Sequence, residues 1–384
     1  MGRLDLLPPY LFAAIDAAKS RARAAGRPVV DLGIGDPDRP TPAALLEVMT
    51  RALGDPAGHR YPPQRGDREL RRVIAAWLAA RHGVTADPDT EILVLIGSKE
   101  GLGHLPLTCV QEGDNVLVPD LGYPVYGQAT ILAGGEPRPF ALTGGAGFLP
   151  DLAELERLAD ARTRLAFLNY PNNPTGAVVR PGFWREAAAL AQRRGFVLVN
   201  DAAYLEVTLD GSRPASMLAE TDHRTQRVIE LHSLSKMFNM TGWRIGFAVG
   251  HRDVVGALGR VKESIDSGVF LPVQKVAAHA LGEAFAELQQ GVMAPYAARR
   301  KLMLEALAAG GFEVFASGAT FYVWARVPGG GSSAAFCTRV LDEIDVVVTP
   351  GLGFGSGGEG WFRISLTAPD ADLAEGARRL REWR

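Results

Sequence analysis

Residues 91–119, EILVLIGSKEGLGHLPLTCVQEGDNVLVP, decide the fold. Two short apolar runs, at 91–97 and 115–119, enclose a helical pattern at 98–111. A strand that is apolar along its whole length is typical of a parallel sheet covered on both faces, and such sheets are built from strand–helix–strand units. The segment therefore predicts an α/β protein.

The same alternation extends through residues 43–270. Further strands are predicted at 165–169, 196–200, 228–231 and 245–249, and further helices at 123–132 and 182–194. Repeated strand–helix units predict one mostly parallel sheet flanked by helices.

A different pattern follows. A helical pattern over 272–309 breaks the alternation, and later elements are predicted at 321–327, 334–344, 346–349 and 362–366, with a final helix from residue 370. This order is typical of a smaller α+β domain. We predict a large domain over 43–275 and a small domain formed by 1–42 together with 276–384.

Composition narrows the possible partners. The 384-residue chain is 47% hydrophobic and carries a net charge of −2, which favours a large core and gives no electrostatic basis for binding nucleic acid. No apolar stretch approaches the ~20 residues of a membrane helix, and the N-terminus lacks a signal-peptide pattern. The two cysteines, Cys109 and Cys337, form no CxxC motif, which is typical of a protein in a reducing cytosol. We expect a cytoplasmic protein without nucleic-acid or membrane partners.

Chemically useful side chains follow the predicted strands. Ligands of open parallel sheets bind beyond the carboxyl ends of the strands. The residues at these ends are Ser98, Lys99, Tyr123, Asn173, Asp201, Tyr204, Ser233 and Lys236. Such hydroxyls, aromatic rings, an amide, a carboxylate and a lysine suit a phosphorylated aromatic ring that carries an aldehyde.

Lys236 is the candidate for a covalent link to that aldehyde. It is one of only six lysines and ends the motif SLSK at 233–236. Desolvation can deprotonate a lysine and allow it to form an imine. Arg244 follows eight residues later and could hold the phosphate of the same small molecule. Taken alone, a lysine after a strand is more often a surface residue.

Asp201 ends a predicted buried strand, where a carboxylate is costly unless it is paired. A protonated pyridine nitrogen is a suitable partner. Tyr204 and Asn173 could donate to the oxygen on the same ring. The structural alternatives are a helix N-cap for Asp201 and a simple turn for Asn173.

Three further residues have a functional and a structural interpretation. Ser98 opens a helix after a strand and could bind phosphate, or could simply cap the helix. Tyr123 could stack on a cofactor ring, or could be a core tyrosine. Arg363 lies inside an apolar strand pattern and could grip a substrate carboxylate, or could form a structural ion pair.

Taken together, these motifs resemble one enzyme family. NNPTG at 172–176, NDAAY at 200–204, SLSK at 233–236 and FRIS at 362–365 occur in the order seen in class I/II aminotransferases of pyridoxal-phosphate (PLP) fold type I. The resemblance starts at LGIGDP, residues 32–37, and covers most of the chain. It implies pyridoxal 5'-phosphate as cofactor and transfer of an amino group between an amino acid and a 2-oxo acid.

The resemblance also implies roles for individual residues. Lys236 binds the cofactor and moves the proton, Asp201 pairs with the ring nitrogen, Asn173 and Tyr204 contact the ring oxygen, Tyr123 stacks on the ring, and Ser98, Lys99, Ser233 and Arg244 surround the phosphate. Gly35, Asn173 and Arg363 bind the substrate. Tyr61 reaches into the neighbouring subunit, which implies a homodimer with shared active sites.

Several stretches resemble, within this family, LL-diaminopimelate aminotransferases and their bacterial relatives. These are IGSKEGLGHL at 96–105, NDAAYLEV at 200–207 and KESIDSGVF at 262–270. They imply lysine biosynthesis, with LL-diaminopimelate and 2-oxoglutarate as substrates. Aspartate, alanine and aromatic aminotransferases, and a PLP carbon–sulfur β-lyase, remain alternatives. Polar candidates for reading the far end of the substrate are Asp36, Gln64, Arg65, Lys99 and Glu100.

Other classes of protein fit the sequence less well. Residues 353–358, GFGSGG, match the G-x-G-x-x-G fingerprint of dehydrogenases, but a predicted strand follows where that fingerprint needs a helix, so we predict a loop. A PLP-binding gene regulator would carry a helix-turn-helix or basic arm, and residues 1–30 show neither. The seven histidines have no HxH or HExxH spacing, so we expect no metal.

Overall fold

The computed structural model describes residues 2–7 and 13–383. Within these residues the α-helices are α1 Ala13–Ala24, α2 Ala43–Leu53, α3 Arg68–His82, α4 Ser98–His104, α5 Val125–Ala133, α6 Leu152–Leu158, α7 Phe183–Arg194, α8 Met217–Glu220, α9 Leu234–Met237, α10 Arg252–Ile265, α11 Leu271–Leu281, α12 Phe285–Ala309, α13 Ser333–Ile344 and α14 Asp370–Glu382. The strands are β1 Val30–Asp31, β2 Ile92–Leu95, β3 Asn115–Pro119, β4 Glu136–Phe140, β5 Thr163–Leu168, β6 Val197–Asp201, β7 Val228–Ser233, β8 Gly246–Gly250, β9 Tyr322–Arg326, β10 Val346–Val347, β11 Thr349–Pro350 and β12 Trp361–Ser365.

The chain is an α/β protein with a central seven-stranded sheet in the order β2-β8-β7-β6-β5-β3-β4. Neighbouring strands from β7 to β4 are parallel, and only β8 is antiparallel to its neighbours β2 and β7. The mostly parallel sheet predicted from the sequence is thus confirmed.

Helices cover both faces of this sheet. Ile92 and Val94 of β2 pack in one apolar cluster with α2, α3, α7 and α11. Leu93 and Leu95 pack in another, with α4, α5 and α10. Because successive side chains of a strand point to opposite faces, a strand that is buried on both must be apolar throughout. This is why the strands read as continuous apolar runs.

Three of the predicted elements were wrong in extent. The helix predicted over 98–111 ends at His104 and is followed by a short 3₁₀ turn, Pro106–Thr108. The single helix predicted over 272–309 is two helices, α11 and α12, because Gly282 leaves the helical conformation at φ −80° and ψ −146°. The strand predicted over 346–349 is divided between two sheets: β10 pairs with β1, and β11 pairs with β12. The sequence pattern also gave no indication of β4, an edge strand that contains Pro137 and Pro139.

Two smaller sheets lie outside the large one. β11, β12 and β9 form an antiparallel sheet, and β1 pairs with β10 in parallel. Their apolar side chains pack with α12, α13 and α14 in a separate cluster that includes Phe362 and Leu380. The N-terminal part of the chain is held to this region, where the Arg27 side chain donates to Asp345 at 2.6 Å.

The segment 353–358 contains only short 3₁₀ turns and leads into β12, so the loop predicted there is confirmed. Among residues 2–7 and 13–383, no helix combines the length and the apolar character needed to cross a bilayer.

Candidate active site

A cavity of about 700 Å³ lies where the carboxyl ends of the large-sheet strands meet the small antiparallel sheet. Its lining includes all but one of the predicted site residues: Gly35, Ser98, Lys99, Tyr123, Asn173, Asp201, Tyr204, Ser233, Lys236, Arg244 and Arg363. The exception is Tyr61, which is 87% exposed and does not line this cavity. The fold thus assembles residues that are up to 328 positions apart, from Gly35 to Arg363.

Lys236 enters the cavity from α9, the single helical turn that follows β7. Its Nζ donates to the Gly35 carbonyl oxygen at 3.2 Å and lies 5.7 Å from the centre of the Phe321 ring. The described part of the chain places no carboxylate within ion-pair distance of this nitrogen. The amine is therefore held in place by a weak neutral acceptor and is available for reaction.

Asp201 is buried at the end of β6. Its Oδ2 accepts a hydrogen bond from the Tyr126 hydroxyl at 2.8 Å, and its Oδ1 accepts one from the Ala203 amide at 3.3 Å. Burial raises the pKa of Asp201 to about 6, although both hydrogen bonds act in the opposite direction. No ion pair to Asp201 occurs in the part of the chain that the structure describes. A buried carboxyl of this kind is suited to a cationic partner supplied by a ligand.

Two tyrosines join the large sheet to the small one inside the cavity. The hydroxyls of Tyr204 and Tyr322 lie 2.9 Å apart and form a hydrogen bond. Nearby, Asn169 accepts from the Asn173 amide at 2.8 Å and donates to the Asp201 carbonyl at 2.6 Å. These contacts fix the turn after β5 against the end of β6.

The Arg363 guanidinium is buried and lies between two aromatic rings. Its Cζ is 4.1 Å from the centre of the Tyr322 ring and 4.7 Å from that of Phe354. Nη1 donates to the Asn173 side-chain oxygen at 3.0 Å and Nη2 to the Gly33 carbonyl at 2.8 Å, while Nε is buried without a hydrogen-bond partner. Burial lowers the pKa of Arg363.

The structural ion pair considered for Arg363 is absent from the described residues, because its hydrogen-bond acceptors there, the Asn173 side-chain oxygen and the Gly33 carbonyl, are neutral. An arginine that is buried without a counter-ion is strongly unfavourable unless a ligand supplies one. A substrate carboxylate would satisfy this requirement.

Two hydroxyls and a cation also line the cavity. Ser98 begins α4, Ser233 ends β7, and Arg244 follows a 3₁₀ turn and donates to the Thr241 carbonyl at 2.7 Å. The turn before α4 lies close to Arg244, because a Cβ on Gly97 would be only 2.4 Å from the guanidinium nitrogen. Gly97 also has φ +77°, which favours glycine.

The donors and acceptors of the cavity fit a phosphorylated pyridine ring. A phosphate requires hydroxyls and a cation, which Ser98, Ser233 and Arg244 provide. A pyridinium nitrogen requires a carboxylate, and Asp201 is a buried carboxyl without a cationic partner in the described chain. An aldehyde requires an amine, and Lys236 is in the same cavity.

Sequence reasoning missed several residues that line the cavity or contact its lining. Tyr126, Asn169, Tyr322 and Phe354 each contact a predicted site residue through a hydrogen bond or an aromatic ring. Asn169 ends a predicted strand, and Tyr126 lies three residues after Tyr123. These positions are the only signal that could have indicated the two residues. The candidates for the distal end of the substrate separate: Asp36 and Lys99 line the cavity, whereas Gln64, Arg65 and Glu100 do not.

Comparison with known proteins gives a consistent result. The family model "Aminotransferase class I and II" matches residues 27–380. An LL-diaminopimelate aminotransferase from Desulforudis audaxviator is 48% identical over 382 residues, which cover 99% of this chain and 96% of the relative. Substrate-bound BacF from Bacillus subtilis is 34% identical, with a TM-score of 0.91 over 99% of this chain and 96% of that chain. A structure described as a probable N-succinyldiaminopimelate aminotransferase from Thermus thermophilus is 37% identical, with a TM-score of 0.88 over 97% of this chain and 99% of that chain.

The family match spans both the large sheet and the small one, and the relatives are similar along nearly their whole length. The resemblance inferred from the motifs is therefore confirmed, and so is the dependence on pyridoxal phosphate that it implied. The chain belongs to the class I and II aminotransferases and is a PLP-dependent transaminase of fold type I.

Proposed function

We propose that this enzyme transfers an amino group from LL-diaminopimelate to 2-oxoglutarate, as a step of lysine biosynthesis. The observation that carries the proposal is the 48% identity to a relative named LL-diaminopimelate aminotransferase, over nearly the full length of both chains. Arg363, Lys99 and Asp36 all line the cavity, which supports a substrate that is charged at both ends.

One end of the substrate is bound through its α-carboxylate by Arg363. The other end of diaminopimelate carries a second carboxylate and a second ammonium, so it needs both a cation and an anion. Lys99 has its Nζ 5.7 Å from the centre of the Tyr123 ring and, within the described chain, no carboxylate partner. Asp36 also lines the cavity. These two side chains are our candidates for the distal carboxylate and the distal ammonium.

PLP supplies an electron sink that allows the bond to the substrate Cα proton to break. Lys236 would hold the cofactor and would take and return the proton at the substrate Cα. Asp201 would pair with the protonated ring nitrogen. Tyr204 and Asn173 would donate to the ring oxygen, and Asn173 would do so through its side-chain nitrogen, because its side-chain oxygen already accepts from Arg363. Tyr123 would stack on the ring.

The phosphate is held by Ser98, Ser233, Arg244 and the backbone of Lys99. Gly35 and Asn173 complete the substrate site beside Arg363. The lack of a side chain at Gly35 is consistent with this, because a Cβ there would be 2.3 Å from the Tyr322 hydroxyl.

A cytoplasmic homodimer with shared active sites is part of the proposal. Tyr61 is 87% exposed, and Phe270 and Ile265 are 42% and 54% exposed, which leaves large apolar side chains available for a second copy. In such a dimer Tyr61 would reach the partner's cofactor. Both cysteines are free, as suits a reducing compartment.

We also propose the division into a large domain at 43–275 and a small domain made of 1–42 and 276–384. It is supported by the separate apolar cluster that α12, α13, α14 and the small sheets share. Lys236 and Asp201 then belong to the large domain, and Arg363 and Gly35 to the small one.

The test is an absorbance scan of the half-reaction, in which the PLP form of the enzyme is converted to the pyridoxamine-phosphate form by single amino acids. The panel contains LL-diaminopimelate, N-succinyl-LL-diaminopimelate, glutamate, aspartate, alanine and phenylalanine. We expect rapid conversion by LL-diaminopimelate and glutamate. Rapid conversion by another donor, with none by LL-diaminopimelate, would refute the substrate and leave the transaminase assignment unchanged.

A variant sharpens the comparison. Lys99→Met should raise the KM for LL-diaminopimelate by about tenfold, the cost of a lost charged contact, and should leave that for alanine nearly unchanged. Equal effects on the two donors would indicate that Lys99 does not recognise the distal carboxylate.

A further inference from the structure

Lys262 on α10 is a buried lysine outside the cavity. It is 1% exposed, and its Nζ donates to Glu100 Oε2 at 3.0 Å and to Asp266 Oδ1 at 2.8 Å. A lysine buried this deeply is costly unless it is paired with carboxylates. Neither Lys262 nor Glu100 lines the cavity.

Glu100 connects this cluster to the cavity. Its Oε2 accepts from the Ile96 amide at 2.5 Å as well as from Lys262. The side chain therefore closes the turn at residues 96–98 from behind. The front of the same turn carries Ser98, and its Gly97 lies against Arg244. The position of the turn depends on the Glu100 side chain remaining where it is.

The charges of the cluster also affect the turn at residues 96–98. Glu100 and Asp266 bring two carboxylates to the back of a turn whose front faces the proposed phosphate, and His104 adds a ring nitrogen 3.5 Å from Glu100 Oε1. Like charges in a poorly solvated region repel over several ångströms. Lys262 forms an ion pair with each of the two carboxylates.

The cluster also stabilises the fold, through Asp266. Its Oδ1 accepts from the Gly268 amide at 2.7 Å, and Gly268 packs so closely on Pro62 that a Cβ would be 2.9 Å from its Cγ. Loss of Lys262 will therefore lower stability whatever else it does, and a test must separate the two effects.

We propose that Lys262 is a positioning residue for the cofactor phosphate: it neutralises Glu100 and holds that side chain against the 96–98 turn. This inference rests on the proposed placement of the phosphate between Ser98 and Arg244. Lys262 acts through Glu100 and touches neither cofactor nor substrate.

The test compares PLP with pyridoxal, which has the same aldehyde and ring but no phosphate. Dissociation constants for both are measured by absorbance titration of cofactor-free enzyme. Lys262→Met should lower the preference for PLP over pyridoxal by about tenfold, because an uncompensated carboxylate then lies behind the turn that holds the phosphate. A lower melting temperature alone would not alter this ratio.

Two further variants complete the design. Glu100→Gln removes the negative charge but keeps an oxygen for the Ile96 amide, so the preference for PLP should stay at the wild-type value or rise. The double variant Lys262→Met/Glu100→Gln should regain most of the lost preference. Lys19→Met is the matched control, since Lys19 also bridges two carboxylates, Asp16 at 3.1 Å and Asp31 at 3.0 Å. It should leave the ratio unchanged.

The possible outcomes are distinct. An unchanged ratio in Lys262→Met, or a reduced preference for PLP in Glu100→Gln, would overturn the inference. If Lys262→Met does not fold, Glu100→Gln still tests the inference: a retained or increased preference for PLP supports it, and a reduced preference overturns it. If the wild-type enzyme itself bound PLP no better than pyridoxal, the proposed phosphate site would be wrong.

Discussion

The Tyr126 hydroxyl donates a hydrogen bond to Asp201 Oδ2 at 2.8 Å, although the two residues are 75 positions apart. Tyr126 is buried and stacks on Phe167, with 5.2 Å between ring centres, and it is perpendicular to the Tyr123 ring. The ring is thus fixed on three sides. Its hydroxyl favours the ionised form of Asp201, which burial disfavours.

Tyr126→Phe should move the pH dependence of turnover. Removing the donor destabilises the Asp201 carboxylate by about 1–3 kcal/mol, so the pKa of Asp201 rises by about one to two units. The ionised form is then lost at a higher pH, and the acidic limb of the kcat profile should shift upward. Tyr170→Phe is the control, because it removes a similar buried hydrogen bond, to the Phe148 carbonyl at 2.7 Å, away from the cavity. A shift of equal size in both variants would contradict a specific role for Tyr126.

Asp201 should also make the cofactor-free enzyme less stable at neutral pH. Its folded-state pKa of about 6 lies above the value of 3.8 for a free aspartate, so the folded state binds the proton more tightly than the unfolded state. The contribution of Asp201 to the free energy of unfolding is about 3 kcal/mol below about pH 4. It falls between about pH 4 and 6 and is lost above that range.

Asp201→Asn removes this titration. Urea unfolding of cofactor-free enzyme at pH 4.5 and 7.5 should show a smaller decrease in stability for the variant than for wild type. The same decrease in both proteins would mean that Asp201 is not the group responsible. The holoenzyme is expected to respond differently, because a pyridinium partner stabilises the carboxylate.

Lys236→Ala should abolish the visible absorbance of the lysine-bound cofactor and reduce turnover by at least about 10³-fold, since both attachment and proton transfer are lost. Lys275→Ala is a suitable control, because Lys275 pairs with Asp55 on the surface. Substantial turnover by Lys236→Ala, after correction for wild-type contamination, would remove the lysine from its assigned role.

Arg363→Lys should raise the KM for amino donors by roughly 10- to 100-fold, as expected for the loss of a charged bidentate contact. The side chain also lies between the rings of Tyr322 and Phe354, and this position favours a planar guanidinium. Arg299→Lys is matched in burial, since Arg299 is 5% and Arg363 6% exposed, but Arg299 pairs with Asp38 and Asp370. It should lower the melting temperature with little effect on KM. The reverse pattern would show that Arg363 is a structural residue.

Gly35→Ala should impair substrate binding, because its Cβ would lie 2.3 Å from the Tyr322 hydroxyl and 3.1 Å from the ring. Either the 35–36 segment or the Tyr322 ring must move, and both line the cavity. We expect the KM for amino donors to rise by about tenfold for about 1.4 kcal/mol of strain. Adding Tyr322→Phe removes the closest atom and should restore part of the loss. No recovery in the double variant would indicate that the clash is not the cause.

The sequence by itself determined the alternating strands and helices of the large sheet and the residues that follow the strands. Lys236 and Asp201 could be identified because their chemistry and their position at a strand end are both local properties. The four motifs, in their fixed order, then indicated the family. Each of these features is contained in a few consecutive residues.

The tertiary structure decided the contacts between distant segments. Local patterns do not show that Tyr126 meets Asp201, that Tyr322 meets Tyr204, or that Lys262 lies behind the turn at 96–98. An apolar or aromatic residue at a helical or strand position is interpreted as core until the opposing element is known. The break at Gly282 escaped prediction for a related reason, since flanking apolar periodicity continues through it. The type of each side chain is known from its own position in the sequence. The residue that it contacts depends on how the sheets and helices pack, and that packing is a property of the whole chain.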